Sequence, residues 1–442
     1  MLTPSRSVAF DILMRVEQGA FADELLHSQR LEDLSPADQG LCTQVVMGVL
    51  RWRSQLDEII ASWTKAPPHR LDLEVATALR MGAYQLAHLQ RVPAHAAVDQ
   101  TVELVKRAGR RFAAPTVNAV MRKIAASKPR APQLPAGEAS LGQIAAATAH
   151  PLWILERWSA AYGVDAVKEI TRSDQQIPVP TLRLADAPAE SDLQQEGIEL
   201  APGALLARAR RVTSGDITKT RVLAEGRAYL QDEASQLVAQ LVGHGACILD
   251  CCAAPGGKTS LIAERNPSSL MLAVELHPAR ARLTRRLVRA PNVAVVAANA
   301  EALPLMPNFD RVLADVPCSG TGTLGRNPEI KWRLRPEDLS DLHRRQVAIL
   351  RSALSYLSPG GRLVYSTCSL EREENEDVVS EVMAGRGDLR LLGCREELER
   401  LQAEGELVWD DLDSLLREDF LRTLPGIHPC DGFFAAMMIA SD

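Results

Sequence analysis

The chain lacks any apolar run approaching the ~20 residues needed to cross a bilayer; Phe433 to Ala440, among the longest, is far shorter. Met1 to Phe10 lacks a basic region followed by an apolar stretch and reads as the start of an amphipathic helix. The expectation is therefore a cytoplasmic protein with no membrane span. None of the eight cysteines forms a Cys-x-x-Cys pair, so neither a zinc site nor a thioredoxin-like redox pair is expected, and the thiols should be reduced. Positive charge is not in excess: 50 Lys and Arg against 56 Asp and Glu leave a net charge of -6. That balance excludes a protein that coats nucleic acid indiscriminately. Internal repeats and low-complexity tracts are absent too.

What is present is length and apolar content. At 442 residues, 46% of them apolar, the chain exceeds what one core organises, and two or three domains are expected. Residues 1–130 carry apolar positions at three- and four-residue spacing, as in Val8, Ile12, Leu13 and Val16, which predicts helices throughout. Ser35-Pro36 suits a helix start and Pro67-Pro68 a stop. Residues 131–145, opening on a proline- and alanine-rich stretch, read as a linker. Residues 146–222 read as a small α/β connector, with a helix around Trp153 to Ile170 and short strands at Pro180 to Leu184 and Ile198 to Leu200. Between residues 101 and 130, Lys106, Arg107, Arg110, Arg111, Arg122, Lys123, Lys128 and Arg130 face the single acid Glu103. On charge alone, a solvated helix face explains this cluster as well as RNA binding does.

Residues 223–442 alternate strands with helices, the pattern of a parallel sheet covered on both faces. Strands are expected at Ala246 to Asp250, Leu270 to Val274, Val293 to Ala297, Arg311 to Ala314, Arg362 to Ser366 and Phe433 to Ile439. Ligands of such sheets bind beyond the carboxyl ends of the strands. The first strand runs into Cys251-Cys252-Ala253-Ala254-Pro255-Gly256-Gly257-Lys258-Thr259-Ser260, small residues whose backbone amides a ligand can approach at a helix N-terminus. The second ends in Glu275, placed to accept hydrogen bonds from ribose hydroxyls. A phosphate-binding loop needs a glycine where Cys252 stands and gives Glu275 no task. S-adenosylmethionine accounts for both features.

The fourth strand ends in Asp315-Val316-Pro317-Cys318 and the fifth in Ser366-Thr367-Cys368. A lone cysteine is more often a small buried hydrophobe than a reagent, but two at equivalent strand ends beside a cofactor turn suggest paired thiol chemistry. Carbon 5 of cytosine is a poor nucleophile. Addition of a thiolate at C6 turns it into an enamine-like centre, and an acid near N3, for which Asp315 is the candidate, drains charge from the adduct. A second thiol can assist proton removal or release. Spacing alone does not decide which cysteine attacks.

Asp250 to Ser260, Asp315 to Gly322 continuing through Asn327-Pro328-Glu329-Ile330-Lys331-Trp332, Ser366 to Asn375, Gln231 to Ser235 and Asp431-Gly432-Phe433-Phe434 together resemble the RsmB/Fmu/Sun family of 16S rRNA cytosine-C5 methyltransferases, within the NOL1/NOP2/Sun group. Val46 to Trp52, Leu79 to Leu86, Val92 to Val98 and Val117 to Arg122 resemble a NusB-type RNA-binding domain. The resemblance implies an α/β fold: a Rossmann-like class I methyltransferase domain preceded by an all-α NusB-like domain and the connector. It implies S-adenosylmethionine contacts from Cys252, Ala253, Ala254, Pro255, Gly256, Gly257, Lys258, Glu275, Asn299 and Asp315. It makes Cys368 the nucleophile and Cys318 the aid to release, and it favours the basic cluster as an RNA surface. Glu275 and Asn299 depart from the aspartates common in relatives. The implied substrate is 16S rRNA or a pre-ribosomal small-subunit particle, at the cytosine numbered 967 by family convention, with no DNA partner, no metal, and a monomer as the default. Methylation of another rRNA site or tRNA, or a non-catalytic RNA-binding factor of antitermination type, are the other readings.

Overall fold

The computed structural model describes residues 2–64, 66–134, 137–303, 306 and 309–441. These form two compact units, one of Met1–Ile177 with Leu324–Arg333, the other of Pro178–Thr323 with Leu334–Asp442.

The first unit is helical, as its three- and four-residue apolar spacing predicts. Long helices at Pro4–Glu17, Pro36–Arg51, Arg53–Ala61, Leu73–His88, Ala94–Arg107 and Ala114–Ser127 bury one core that includes Ile12, Val45, Leu56, Leu79, Leu104 and Met121. Full burial of each such aliphatic side chain contributes about 1.5–3 kcal/mol. Ser35 caps its helix as expected, accepting the Asp38 amide with Pro36 in the first turn. Gly48 is there for close approach: a methyl group would lie 1.9 Å from Tyr84 Cζ. Two expectations change. Residues 131–145 are not all linker, because Ser140 and Gln143 form a capping box that starts a helix at Leu141–Thr148. The helix expected at Trp153 to Ile170 is two, Leu152–Tyr162 and Val164–Asp174, parted by Gly163 at φ +85°. These three helices belong to the first unit, so the break between units falls at 177/178, inside the 146–222 segment read as one connector.

Leu324–Arg333 joins the same unit through buried polar contacts. Lys331 Nζ donates to the carbonyls of Arg51 and Ala149, each at 3.0 Å. Trp332 Nε1 donates to Leu50 O at 2.6 Å, and Glu329 accepts the Ala22 amide at 2.8 Å. The Arg51 guanidinium in turn donates to Asp174 O and Gly325 O.

The second unit holds two sheets. Strands β1 (Thr181–Leu184), β2 (Glu199–Pro202), β3 (Ala209–Ser214) and β4 (Ala228–Leu230) form a small antiparallel sheet in the order β2-β3-β1-β4. The large sheet contains β5 (Cys247–Asp250), β6 (Leu270–Glu275), β7 (Val293–Ala297), β8 (Phe309–Asp315), β9 (Leu357–Thr367), β10 (Leu389–Leu392), β11 (Leu416–Arg417), β12 (Phe420–Arg422) and β13 (Phe434–Ala440). Its order is β11-β12-β13-β9-β8-β5-β6-β7, with β10 on β13. Strands β5 to β9 run parallel, and β13 pairs antiparallel with β9. Side chains alternate between two cores: Ile248, Leu313, Val364 and Met437 face one side, Leu249, Val312, Tyr365 and Phe434 the other. The chain winds from β5 outward to β7, then returns to β8 on the far side of β5. This reversal opens a crevice beyond the carboxyl ends of β5 and β8.

Candidate active site

Strand β5 delivers Asp250 to that crevice, where it is fully buried. Thr259 Oγ1 donates to Asp250 Oδ2 at 2.7 Å and the Cys252 amide to Oδ1 at 3.3 Å, closing the turn on itself. Burial still pushes this carboxyl up to about 6. Gly256 turns the chain at φ +110°, and the helix Gly257–Arg265 begins directly after it. Beside this turn, Glu275 closes β6 and accepts the His277 amide at 2.8 Å. Asn299 follows β7 and accepts the Glu301 amide at 3.0 Å. The Ala298 amide donates to Glu275 O at 3.1 Å, tying the two strand ends together.

Asp315, at the end of β8, is held from two sides. Ser366 Oγ donates to Oδ1, and Lys258 Nζ pairs with Oδ2, both at 2.8 Å. Lys258 Nζ also sits 4.9 Å from the Phe433 ring centroid. Burial alone lowers an ammonium pKa, but Asp315 outweighs it and Lys258 is held above its ordinary value, with Cys368 adding to the same effect. Three of the sequence motifs, the turn, the β8 end and the Asp431–Phe434 stretch, thus converge on one ammonium.

The two half-buried thiols meet. Cys318 Sγ and Cys368 Sγ are 3.3 Å apart, and both cysteines are free. Hydrogen bonding to Cys368, with burial added, raises the Cys318 pKa. Cys42 and Cys394, pushed up to about 12 by burial, are packing residues by contrast. The loops carrying the two thiols are laced together by backbone: Gly322 N donates to Cys368 O and Gly432 N to Gly322 O, each at 2.8 Å. A methyl group on Gly322 would lie 2.1 Å from Gly432 O.

Glu374 is not among the site residues expected from the sequence, although it lies within the Ser366 to Asn375 motif. This fully buried carboxylate accepts the Ser319 amide and Gln346 Nε2, each at 2.8 Å, and the hydroxyls of Ser319 and Ser369. In sequence it is one acid in the run Glu371-Arg372-Glu373-Glu374, with nothing to distinguish it from a solvated face.

The basic cluster of the first unit is partly neutralised. Lys106 pairs with Glu103 at 2.7 Å, Arg107 with Asp11 at 2.9 Å and Arg110 with Glu74 at 3.1 Å. Arg111, Arg122 and Lys123 are exposed, with no salt-bridge partner among the described residues. Lys123 lies over the Trp63 ring at 5.9 Å.

A doubly wound sheet with this crevice, preceded by the helical unit, defines a Rossmann-like methyltransferase domain joined to a NusB-like domain. Residues 240–439 match the family described as 16S rRNA methyltransferase RsmB/F, and residues 3–126 match the NusB family. The Bacillus subtilis protein named Probable ribosomal RNA small subunit methyltransferase B is 32% identical over 453 residues, covering 99% of this chain and 98% of its own. The Ribosomal RNA small subunit methyltransferase B of Xanthomonas campestris is 30% identical, covering 91% and 89%. The crystal structure of PH0851 shares the fold, with a TM-score of 0.81 at 21% identity over 99% of each chain. The chain belongs to the 16S rRNA methyltransferase RsmB/F family, which is of the S-adenosylmethionine-dependent class.

Proposed function

We propose that the chain methylates carbon 5 of a cytosine in 16S rRNA, the one numbered 967 by family convention, through a covalent adduct with Cys368. The observation that carries this reading is the pair of thiols 3.3 Å apart beside the Lys258–Asp315 ion pair. S-adenosylmethionine fits the crevice by donor chemistry. Glu275 Oε2 and Asn299 Nδ2 have no partner among the described residues and suit ribose and adenine, while the amides of Ala254, Gly256 and Gly257 and the Lys258 ammonium suit the amino-acid end. Bound there, it supplies an electrophilic methyl group.

Cys368 adds as thiolate to C6 of the cytosine, and the electron pair displaced from the C5–C6 bond makes C5 nucleophilic. Asp315, at the N3 side of the ring, delivers a proton to N3 as negative charge accumulates there and takes it back when the sulfur leaves. Lys258 keeps Asp315 in place and puts a positive charge near the attacking sulfur. After C5 gains its methyl group, a base removes the C5 proton. The electron pair re-forms the C5–C6 double bond, and the Cys368 sulfur leaves. Cys318, in contact with that sulfur, assists this last step. The target base must be unstacked, because C6 is out of reach within a helix. Arg111, Arg122 and Lys123 supply RNA contacts on the helical unit, with the paired Lys106, Arg107 and Arg110 at its margin.

The test uses tritiated methyl donor with 16S rRNA and tRNA. Cys368→Ala abolishes transfer, and Cys318→Ala accumulates a protein–RNA adduct stable to denaturing gel electrophoresis. The reverse pattern overturns the assignment of roles, and transfer to tRNA alone overturns the substrate.

A further inference from the structure

Between Glu275 and Glu301 the chain has five arginines, Arg280, Arg282, Arg285, Arg286 and Arg289, and no acidic residue. All five are exposed, on or just after the helix Pro278–Leu287. Arg282, Arg285 and Arg286 follow the i, i+3, i+4 spacing that places them on one side of the helix, and Arg289 follows just beyond its end. An adjoining side of the helix, Ala281 and Thr284, is buried, as is Val288 at its end. It rests on the cofactor turn, since a methyl group on Gly256 would lie 2.6 Å from Val288 Cγ2 and 3.3 Å from Thr284 Cγ2. Arg282, Arg285, Arg286 and Ala279 line one surface depression.

These arginines are not spent on the fold. Among the described residues, none of the five has a carboxylate partner; Arg289 donates to a carbonyl, Ala224 O. Several arginines elsewhere in the unit are paired by contrast: Arg227 with Asp186 and Asp192, Arg351 with Glu381, Arg395 with Asp413, Arg400 with Glu397 and Glu404. The helix itself gains little from them. Arg282 with Arg286 sets like charges four apart, and Arg280 and Arg282 stand in the first turns, where the helix dipole disfavours cations. A row of unpaired guanidinium groups in a chain of net charge -6 fits a polyanion of regular phosphate spacing, which the planar donor fork grips in pairs.

We propose that this arginine face docks the phosphate backbone of the substrate RNA beside the cofactor turn, a second RNA contact besides the one on the helical unit. The proposal deepens the RNA methyltransferase reading and rests on it. An anionic membrane is the weaker fit, because the large apolar side chains this helix leaves exposed, Leu283 and Leu287, are too few to seat it among lipid chains.

The test is filter binding of the full chain to 16S rRNA transcript and to poly(U) across a salt series, with Arg282, Arg285 and Arg286 changed together to Gln or to Lys. The Gln variant binds about tenfold more weakly or worse, and the slope of log K against log salt falls by about 2–3, as lost phosphate contacts require. The Lys variant keeps most of the affinity. The melting temperature and S-adenosylmethionine affinity are unchanged, and methyl transfer shows a raised KM for RNA with kcat retained. Equal affinity and equal slope in the Gln variant overturn the proposal, as does loss of binding to anionic vesicles with RNA binding intact. If the unaltered chain methylates no 16S rRNA yet binds RNA through these arginines, the functional reading falls and the docking face stands. If methylation is normal and the Gln variant binds and turns over RNA as the unaltered chain does, the docking face falls and the functional reading stands.

Discussion

Glu374 accepts the backbone amide of Ser319 at 2.8 Å, and through its second oxygen it accepts the hydroxyls of Ser319 and Ser369. One buried carboxylate therefore fixes the residue after Cys318 and the residue after Cys368. Glu374→Ala leaves an amide and two hydroxyls without their acceptor, a cost of about 1–3 kcal/mol per group. Transfer is expected to fall by about 10- to 100-fold with S-adenosylmethionine affinity unchanged. Glu374→Gln keeps one acceptor oxygen and should recover most of the loss. Equal rates for all three proteins in single-turnover assays would remove Glu374 from any positioning role.

Lys258→Met removes the partner of a carboxylate that is only a quarter exposed. Breaking a buried pair from one side costs about 3–5 kcal/mol, whereas removing both charges costs less. The double variant Lys258→Met with Asp315→Asn should thus be more stable than Lys258→Met alone in urea unfolding, and both should lose methyl transfer. Because Lys258 is held above its ordinary value, the sign is fixed. The pair's contribution is fully present below the unfolded lysine value of 10.5 and is lost only as pH rises through the higher folded value.

Gly322→Ala forces backbone apart, since Gly432 O at 2.1 Å and Cys368 O at 2.8 Å cannot rotate away. Overpacking of this kind costs about 1–3 kcal/mol. The clash also displaces the carbonyl of Cys368, so methyl transfer should fall by more than the drop in stability explains. Full activity from a folded Gly322→Ala protein would show that the thiol spacing tolerates movement.

In the first unit, burial lowers Lys331 to about 7, against the pull of Asp174, and holds His150, 3.2 Å from Asp174, well below its usual range. Both shifts act with one sign. From about pH 7 to the unfolded lysine value of 10.5 the unfolded chain binds more protons at Lys331, and near 6.5 it does so at His150, so stability rises with pH across both windows. Melting temperatures measured from about pH 6 to 9 should climb, and Lys331→Met should flatten the climb above pH 7 while lowering the curve. A climb that Lys331→Met leaves unchanged would assign it to other groups.

The parallel strands were readable because short apolar runs ended in unusual residues: Asp250, Glu275 and Asp315 mark the carboxyl ends in sequence as they do in space. Strand β9 begins five residues before its expected start at Arg362, because Pro359, Gly360 and Gly361 look like breakers yet continue the strand. The short strands β10 to β12 carry too few residues for a two-residue period to show. The thiols were found by position, but their contact, and the clamp from Glu374 across 55 residues, are tertiary facts. So is the placement of Lys331, which the motif assigned to the catalytic half and which bonds instead to Arg51, 280 residues earlier.

That last contact bears on how the protein can be dissected. A fragment beginning at residue 178 would still carry Leu324–Arg333, with the Lys331 ammonium and the Trp332 indole stripped of the carbonyls they donate to. A fragment ending at residue 177 would leave the Arg51 guanidinium without the Gly325 carbonyl. Gene truncation at the apparent boundary therefore damages both products. A chimera that exchanges the helical portion between relatives has to move two stretches of coding sequence together, the long N-terminal one and a ten-codon insert far downstream.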